Sequence, residues 1–166
     1  TNYFVTGSED GSEFCLTNNW SIFAAYTCVT TAWQCIFQSE YSVGNRIGLW
    51  LGGSNEVTIV CGTGYVAGSA TSVNNNVRSI IGVIHSQAAD YTYKDGIYAP
   101  TGFAVLSNAT TPHISAQIGF SVCQDAYTMR GMLGWLYIWD RALLPLEAMM
   151  FEASPYAMFN RRPVWM

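Results

Sequence analysis

The stretch GWLYIWDRALLPLEAMM (Gly134–Met150) changes its period halfway along. From Gly131 to Asp140 the side chains alternate as on a strand, with Trp135, Tyr137 and Trp139 on one face and Leu136 and Ile138 on the other. From Pro145 the spacing turns helical, and Leu146, Met149, Met150 and Ala153 fall on one apolar side. Pro145 suits a first helical turn, where its missing N–H costs nothing. Ser154-Pro155 ends the helix, because the residue before proline resists helical geometry. A helix this short does not survive alone in water, so it must dock on the strands. Both faces of the strand are apolar. One meets a second sheet, and the other needs cover from the helix, a loop or another subunit.

Strand patterns dominate the rest of the chain. Trp20–Val29 alternates with Trp20, Ile22, Ala24, Tyr26 and Cys28 on one face. Arg46–Leu51 and Glu56–Cys61 are two short strands separated by the turn sequence Gly52–Asn55. Val77–His85 follows, then Tyr91–Ile97 with a Lys-Asp-Gly hairpin turn, Phe103–Leu106, Ile114–Phe120 and Met132–Asp140. Ser69–Asn76 and Ser107–Pro112 read as polar loops. No strand–helix–strand rhythm and no repeat is present. The pattern predicts an all-β fold: a two-sheet antiparallel jelly-roll sandwich with one short C-terminal helix. A chain of 166 residues suits a single domain, 1–166, with 154–166 as a C-terminal tail.

Composition narrows the function classes. Half of the residues are hydrophobic and only 11% are charged, which excludes a disordered chain. The net charge is −4, Lys94 is the sole lysine, and Arg161–Arg162 is too short to form a basic patch. Nucleic acid is therefore not an expected partner. No apolar run approaches the ~20 residues of a membrane-crossing helix, and TNYFVTGSEDGSEF has no secretory pattern. Thr1 fits either a removed initiator methionine or a fragment of a longer chain. Cys15, Cys28, Cys35, Cys61 and Cys123 are odd in number, with no CxxC pair and no zinc-ligand spacing. They read as reduced, structural thiols of a chain made in a reducing cytoplasm.

Catalytic signatures are weak. Glu9, Asp10 and Glu13 cluster in SEDGSEF, but Glu9 and Asp10 are adjacent and would point to opposite faces of a strand. They do not form the facing carboxylate pair that glycan cleavage needs. His85 and His113 have no nucleophile elbow to serve. No enzymatic activity is expected. Calcium stays open as a ligand of the loop oxygens of Asp90, Asp95, Asp125 and Asn74–Asn76, although no EF-hand spacing exists. No other cofactor is expected. Tyr65, Tyr91, Tyr98 and Tyr127 lie in loops or at strand ends and are the candidate stacking residues for a glycan. Trp135, Tyr137 and Trp139 are assigned to packing.

Four segments, in order, resemble a known family. NNWSIFAAYTCV (Asn18–Val29), RSIIGVIHSQAADYTYKDGI (Arg78–Ile97), HISAQIGFS (His113–Ser121) and GWLYIWDRALLPLEAMMF (Gly134–Phe151) are similar to the laminin-G-like and pentraxin-like domains of the concanavalin A-like lectin/glucanase superfamily. The chain departs from that pattern at three places. Leu144 replaces the usual Ser or Thr before the helix, Val77-Arg78 stands where a tryptophan is common, and the glucanase Glu-x-Asp-x-x-Glu motif is absent. The family's calcium residues find no one-to-one match. The tail ASPYAMFNRRPVWM (Ala153–Met166) resembles the endings of such domains in phage and prophage structural proteins. The resemblance implies a non-enzymatic virion structural protein: a capsid decoration, fibre or tail-surface module. It would sit on the virion surface after synthesis in the host cytoplasm, contacting copies of itself or other virion proteins, with host-glycan adhesion as an added role. The alternative is a carbohydrate-binding module of a larger cell-surface or secreted protein. A glycoside hydrolase ranks third.

Overall fold

The computed structural model describes residues 4–6, 19–42, 45–62, 64–101, 115–119 and 127–154. In chain order the strands are β1 (Phe4–Thr6), β2 (Trp20–Cys28), β3 (Gln34–Ser42), β4 (Asn45–Leu51), β5 (Glu56–Gly62) and β6 (Gly64–Ser72). They continue with β7 (Arg78–His85), β8 (Asp90–Lys94), β9 (Ile97–Pro100), β10 (Ser115–Ile118) and β11 (Gly131–Trp139), and helix α1 (Pro145–Ala153) follows. Two antiparallel sheets form, one ordered β1-β10-β3-β4-β5-β6 and the other β11-β2-β7-β8-β9. This is the jelly-roll sandwich, closed by a short C-terminal helix, that the strand pattern predicts.

Alternation sorts the side chains into layers. Trp20, Ile22, Ala24, Tyr26 and Cys28 of β2 meet Ile47, Leu49 and Leu51 of β4 and Val57, Ile59 and Cys61 of β5 in the core between the sheets. A second apolar cluster lies on the outer side of the five-stranded sheet, where Phe23, Ile84 and Tyr93 pack with Leu143, Ala148 and Phe151. A third, of Cys35, Trp50 and Val60 with Trp33 and Tyr127, lies on the outer side of the six-stranded sheet. β11 obeys the expected division: Leu136 and Ile138 pack on the core, while Trp135, Tyr137 and Trp139 join the helix cluster. A register shift between Leu133 and Trp135 lets Leu133 reach the core as well, despite its odd position.

The β8–β9 hairpin turns at Asp95 and Gly96, both with positive φ (44° and 85°), the two-residue geometry expected of Lys-Asp-Gly. The Asp95 carboxylate accepts the Ile80 N–H at 2.7 Å and holds the turn against β7.

Three expectations need correction. β3 goes unrecognised in the sequence because shifts at Cys35/Phe37 and Glu40/Ser42 break its period of two. Ser69–Ser72 belongs to β6 rather than to a loop, which begins only at Val73. The second half of β6, residues 67–72, is made of small residues, and the sheets approach closely there. A Cβ on Gly68 would collide with the Thr92 side chain, and Thr71 Oγ1 donates to Thr92 Oγ1 at 2.9 Å. The third correction concerns α1. It docks on the sandwich, but through Ala148 and Phe151, whereas Leu146, Met149 and Met150 are 50–67% exposed and Ala153 is exposed too. The helix is apolar on most sides, so periodicity alone does not choose its buried face. The sheet chooses it. Phe151 inserts edge-on among Trp135, Tyr137 and Trp139, with ring centroids 5.0–5.1 Å apart.

Leu144 offers no capping side chain, and Glu147 compensates: its carboxylate accepts the Leu144 N–H at 2.8 Å and the Arg141 guanidinium at the same distance. Ser21 Oγ of β2 accepts the Leu143 N–H and donates to the Arg141 carbonyl, both at 2.9 Å, tying the helix entry to the sheet. The Phe103–Leu106 strand, the ends of Ile114–Phe120 and the tail from Pro155 lie outside the described residues. Among the described residues no helix is long and apolar enough to cross a membrane.

Replacing Phe151 by Ala removes the ring that fills the aromatic slot. It is expected to cost about 3 kcal/mol, as deletion of a large buried ring does, and urea denaturation followed by circular dichroism checks this. Leu146→Ala on the exposed side is expected to change stability by less than about 0.5 kcal/mol.

Candidate functional site

In β4 the core claims Ile47, Leu49 and Leu51, so Arg46, Gly48 and Trp50 must face outward from the six-stranded sheet. Val60 of β5 points the same way, and Tyr65 of β6 stands directly opposite Val60. Trp33, just before β3, and Tyr127, upstream of β11, complete a rim. The Tyr127 segment is pinned to β3 because its carbonyl accepts the Cys35 N–H at 3.2 Å.

These residues enclose an open recess of about 170 Å³ lined by Trp33, Arg46, Trp50, Val60, Tyr65 and Tyr127. Trp33 meets Tyr65 edge-on at 5.2 Å and Tyr127 at 6.0 Å, and Trp50 meets Tyr127 at 5.4 Å. Gly48 keeps the floor low. A Cβ there would lie 2.6 Å from the Phe37 carbonyl and 3.0 Å from Trp50 Nε1. The Arg46 guanidinium carbon sits 5.4 Å from the centre of the Trp50 ring, within cation–π range.

Arg46 and Trp50 add buried donors to the lining. Arg46 is only 5% exposed, yet its Nε and Nη1 have no hydrogen-bond partner, and neither does the buried Trp50 Nε1. Buried donors are normally satisfied, so three unpartnered N–H centres on two residues that line one recess mark it as a place to receive acceptors. Among the described residues no carboxylate lines it.

The four tyrosines singled out in the sequence divide between the two sheets. Tyr65 and Tyr127 stand in the recess. Tyr91 and Tyr98 lie on the other sheet, stacked on each other at 4.6 Å and packed into the helix cluster. Burial pushes the Tyr98 hydroxyl up to about 12, with a smaller push from Tyr91. Trp33, Arg46 and Trp50 go unmarked in the sequence reading. The available signal was the shared outward parity of Arg46 and Trp50 opposite three aliphatic residues.

The other candidates resolve into structural roles. His85 is fully buried, its Nδ1 lies 2.6 Å from Asp90 Oδ1, and its ring lies 5.3 Å from that of Trp20. A substrate has no route to it. Asp90 is thereby committed to His85 and Asp95 to the hairpin, while Asn75 accepts a 2.8 Å hydrogen bond from Asn55. Among the described residues no group of three His, Cys, Asp or Glu side chains could hold a metal. Cys28, Cys35 and Cys61 are all buried. Glu9, Asp10, Glu13, His113 and Asp125 lie outside the described residues.

No protein-family model and no curated protein matches the sequence. Solved structures do match. A native heptameric SAP-like pentraxin from Limulus polyphemus superposes with a TM-score of 0.63 at 12% identity, over 81% of this chain and 70% of that one. The CBM40 domain of the Ruminococcus gnavus IT-sialidase, solved bound to α2,3-sialyllactose, gives 0.63 at 12% identity, over 87% and 91%. The NanB sialidase of Streptococcus pneumoniae gives 0.63 at 14% identity over 88% of this chain, which spans only 27% of that enzyme. At these identities the likeness establishes the fold alone, a two-sheet jelly-roll sandwich.

The raised Tyr98 value carries a pH dependence. The unfolded chain loses this proton near 10.0, whereas the folded chain holds it until about 12. The contribution is therefore complete below pH 10 and is lost as the pH rises toward 12. Tyr98→Phe is expected to flatten the decline in stability across that window, measured by urea denaturation at pH 9 to 12.

Proposed function

We propose that this chain is a non-catalytic glycan-binding module that reads sugars at the recess of the six-stranded sheet. The carrying observation is the combination of Trp33, Tyr65 and Tyr127 around an open recess with unpartnered donors in its lining. Aromatic rings pack against the apolar C–H faces of a pyranose, and a few placed polar groups fix its orientation. The Ruminococcus gnavus domain of the same fold, solved with a sialylated sugar, supports the reading by analogy of fold.

Tyr65 is 57% exposed and can be truncated with little loss of packing, whereas Trp33 also packs against Trp50 and Tyr127. Trp33→Ala and Tyr65→Ala are each expected to weaken glycan affinity about tenfold or more, as loss of aromatic anchors does, and Tyr65→Ala to do so with unchanged melting temperature. A glycan array followed by calorimetry, run with and without calcium, makes the test. A wild-type chain that binds no glycan in either condition overturns the reading.

A second role, compatible with the first, is that of a virion surface module held by contacts with copies of itself. It draws on the phage-like tail sequence and on one structural observation. Leu144, Leu146, Met149 and Met150 form an apolar ridge on α1, each 50–67% exposed. Such a ridge is a surface that association would cover. Light scattering is expected to show an oligomer that Leu146→Glu with Met150→Glu dissociates; a monomeric wild type at 100 µM-scale concentration, on the order of strong-assembly conditions, counts against it.

A further inference from the structure

The donors in the lining of the recess say more than that a sugar binds; they specify its charge. Arg46 brings a cationic guanidinium under cover, with only 5% of the residue exposed. Its guanidinium carbon lies 5.4 Å from the centre of the Trp50 ring, and its Nε and Nη1 have no acceptors. Trp50 Nε1, also buried and unpartnered, is a donor only. A neutral hydroxyl would satisfy one donor without compensating the charge, whereas an anionic oxygen group does both through charge-assisted hydrogen bonds. The chain as a whole is acidic, at −4, so a general attraction for anions is absent and selectivity must arise locally.

We infer that the recess takes an anionic sugar, a glycan unit bearing a carboxylate or a sulfate ester, whose oxygens accept from Arg46 and Trp50 Nε1 while its ring lies among Trp33, Tyr65 and Tyr127. The inference rests on the glycan-binding reading and adds the chemistry of the ligand. Buried charge is screened weakly, so the preference persists at physiological salt.

Matched ligands separate the two claims. Calorimetry on the wild-type chain compares trigalacturonate with its neutral methyl ester, and galactose 6-sulfate with galactose, in 0.15 M salt on the order of physiological strength. At least one anionic member is expected to bind about tenfold more tightly than its neutral parent, and the pair that shows it identifies the anion. Arg46→Gln is expected to bring that ratio to about one, and Trp50→Phe, which keeps a ring and removes the N–H, to lower it about fivefold. Equal binding of charged and neutral members by the wild type overturns the inference and leaves the glycan reading standing. Binding of no sugar on the wider array overturns both. The β3–β4 register sets Glu40 opposite Arg46. An acidic preference that emerges only in Glu40→Gln would assign the counter-charge to the chain itself and likewise overturn the inference.

Discussion

The burial of Ile47, Leu49 and Leu51 in the core is the constraint on which the rest of the molecule turns. A strand has two faces, and a slip of one residue exchanges them. With these three aliphatic side chains seated against β2, β4 has no freedom in where it puts Arg46, Gly48 and Trp50. Slipping the register would expose the aliphatic set and drive a guanidinium into the core, a change that costs far more than any surface contact can offset. The recess face is therefore held by the packing of the opposite face. Gly48 extends the same logic, because the absence of a side chain there leaves room for the Trp50 indole over the sheet.

The two outer faces of the sandwich meet water differently. On the five-stranded sheet, Phe23 and the aromatic row of β11 are capped by Phe151 and Ala148 of α1. That aromatic set is spent on stability. On the six-stranded sheet no described helix covers Trp33, Trp50, Tyr65 and Tyr127, and these rings enclose an open recess. Similar residues thus serve as cement on one side and line an open recess on the other; the placement of α1 makes the difference. The buried His85–Asp90 pair belongs to the first category, packed against Trp20 and out of reach of solvent.

The sequence made the regular parts legible. β2 and β11 alternate cleanly, the Asp95-Gly96 turn carries its own signature, and Pro145 announces the helix. β3 escaped because its bulges interrupt the period, and the end of β6 because Gly, Ser, Ala and Thr look like loop when the closeness of the other sheet is not known. The docking face of α1 was illegible for a related reason: Leu146, Met149 and Met150 are as apolar as Phe151, and only the slot between Trp135, Tyr137 and Trp139 distinguishes them. Among the candidate stacking residues, Tyr65 and Tyr127 look no different in sequence from Tyr91 and Tyr98. What separates them is the sheet each belongs to, a property of topology rather than of local pattern.

The central claim, that the outer face of the six-stranded sheet receives an anionic glycan at Arg46 and Trp50, is tested most directly by the indole N–H resonances in a ¹⁵N–¹H titration. The chain holds six tryptophans, and Trp50 lies on the opposite side of the sandwich from Trp135 and Trp139. With the anionic sugar that binds, the account predicts a saturable downfield shift of the Trp50 indole N–H as it gains an acceptor, with those of Trp135 and Trp139 unmoved. A Trp50 resonance that stays fixed while Trp135 or Trp139 shifts would contradict it.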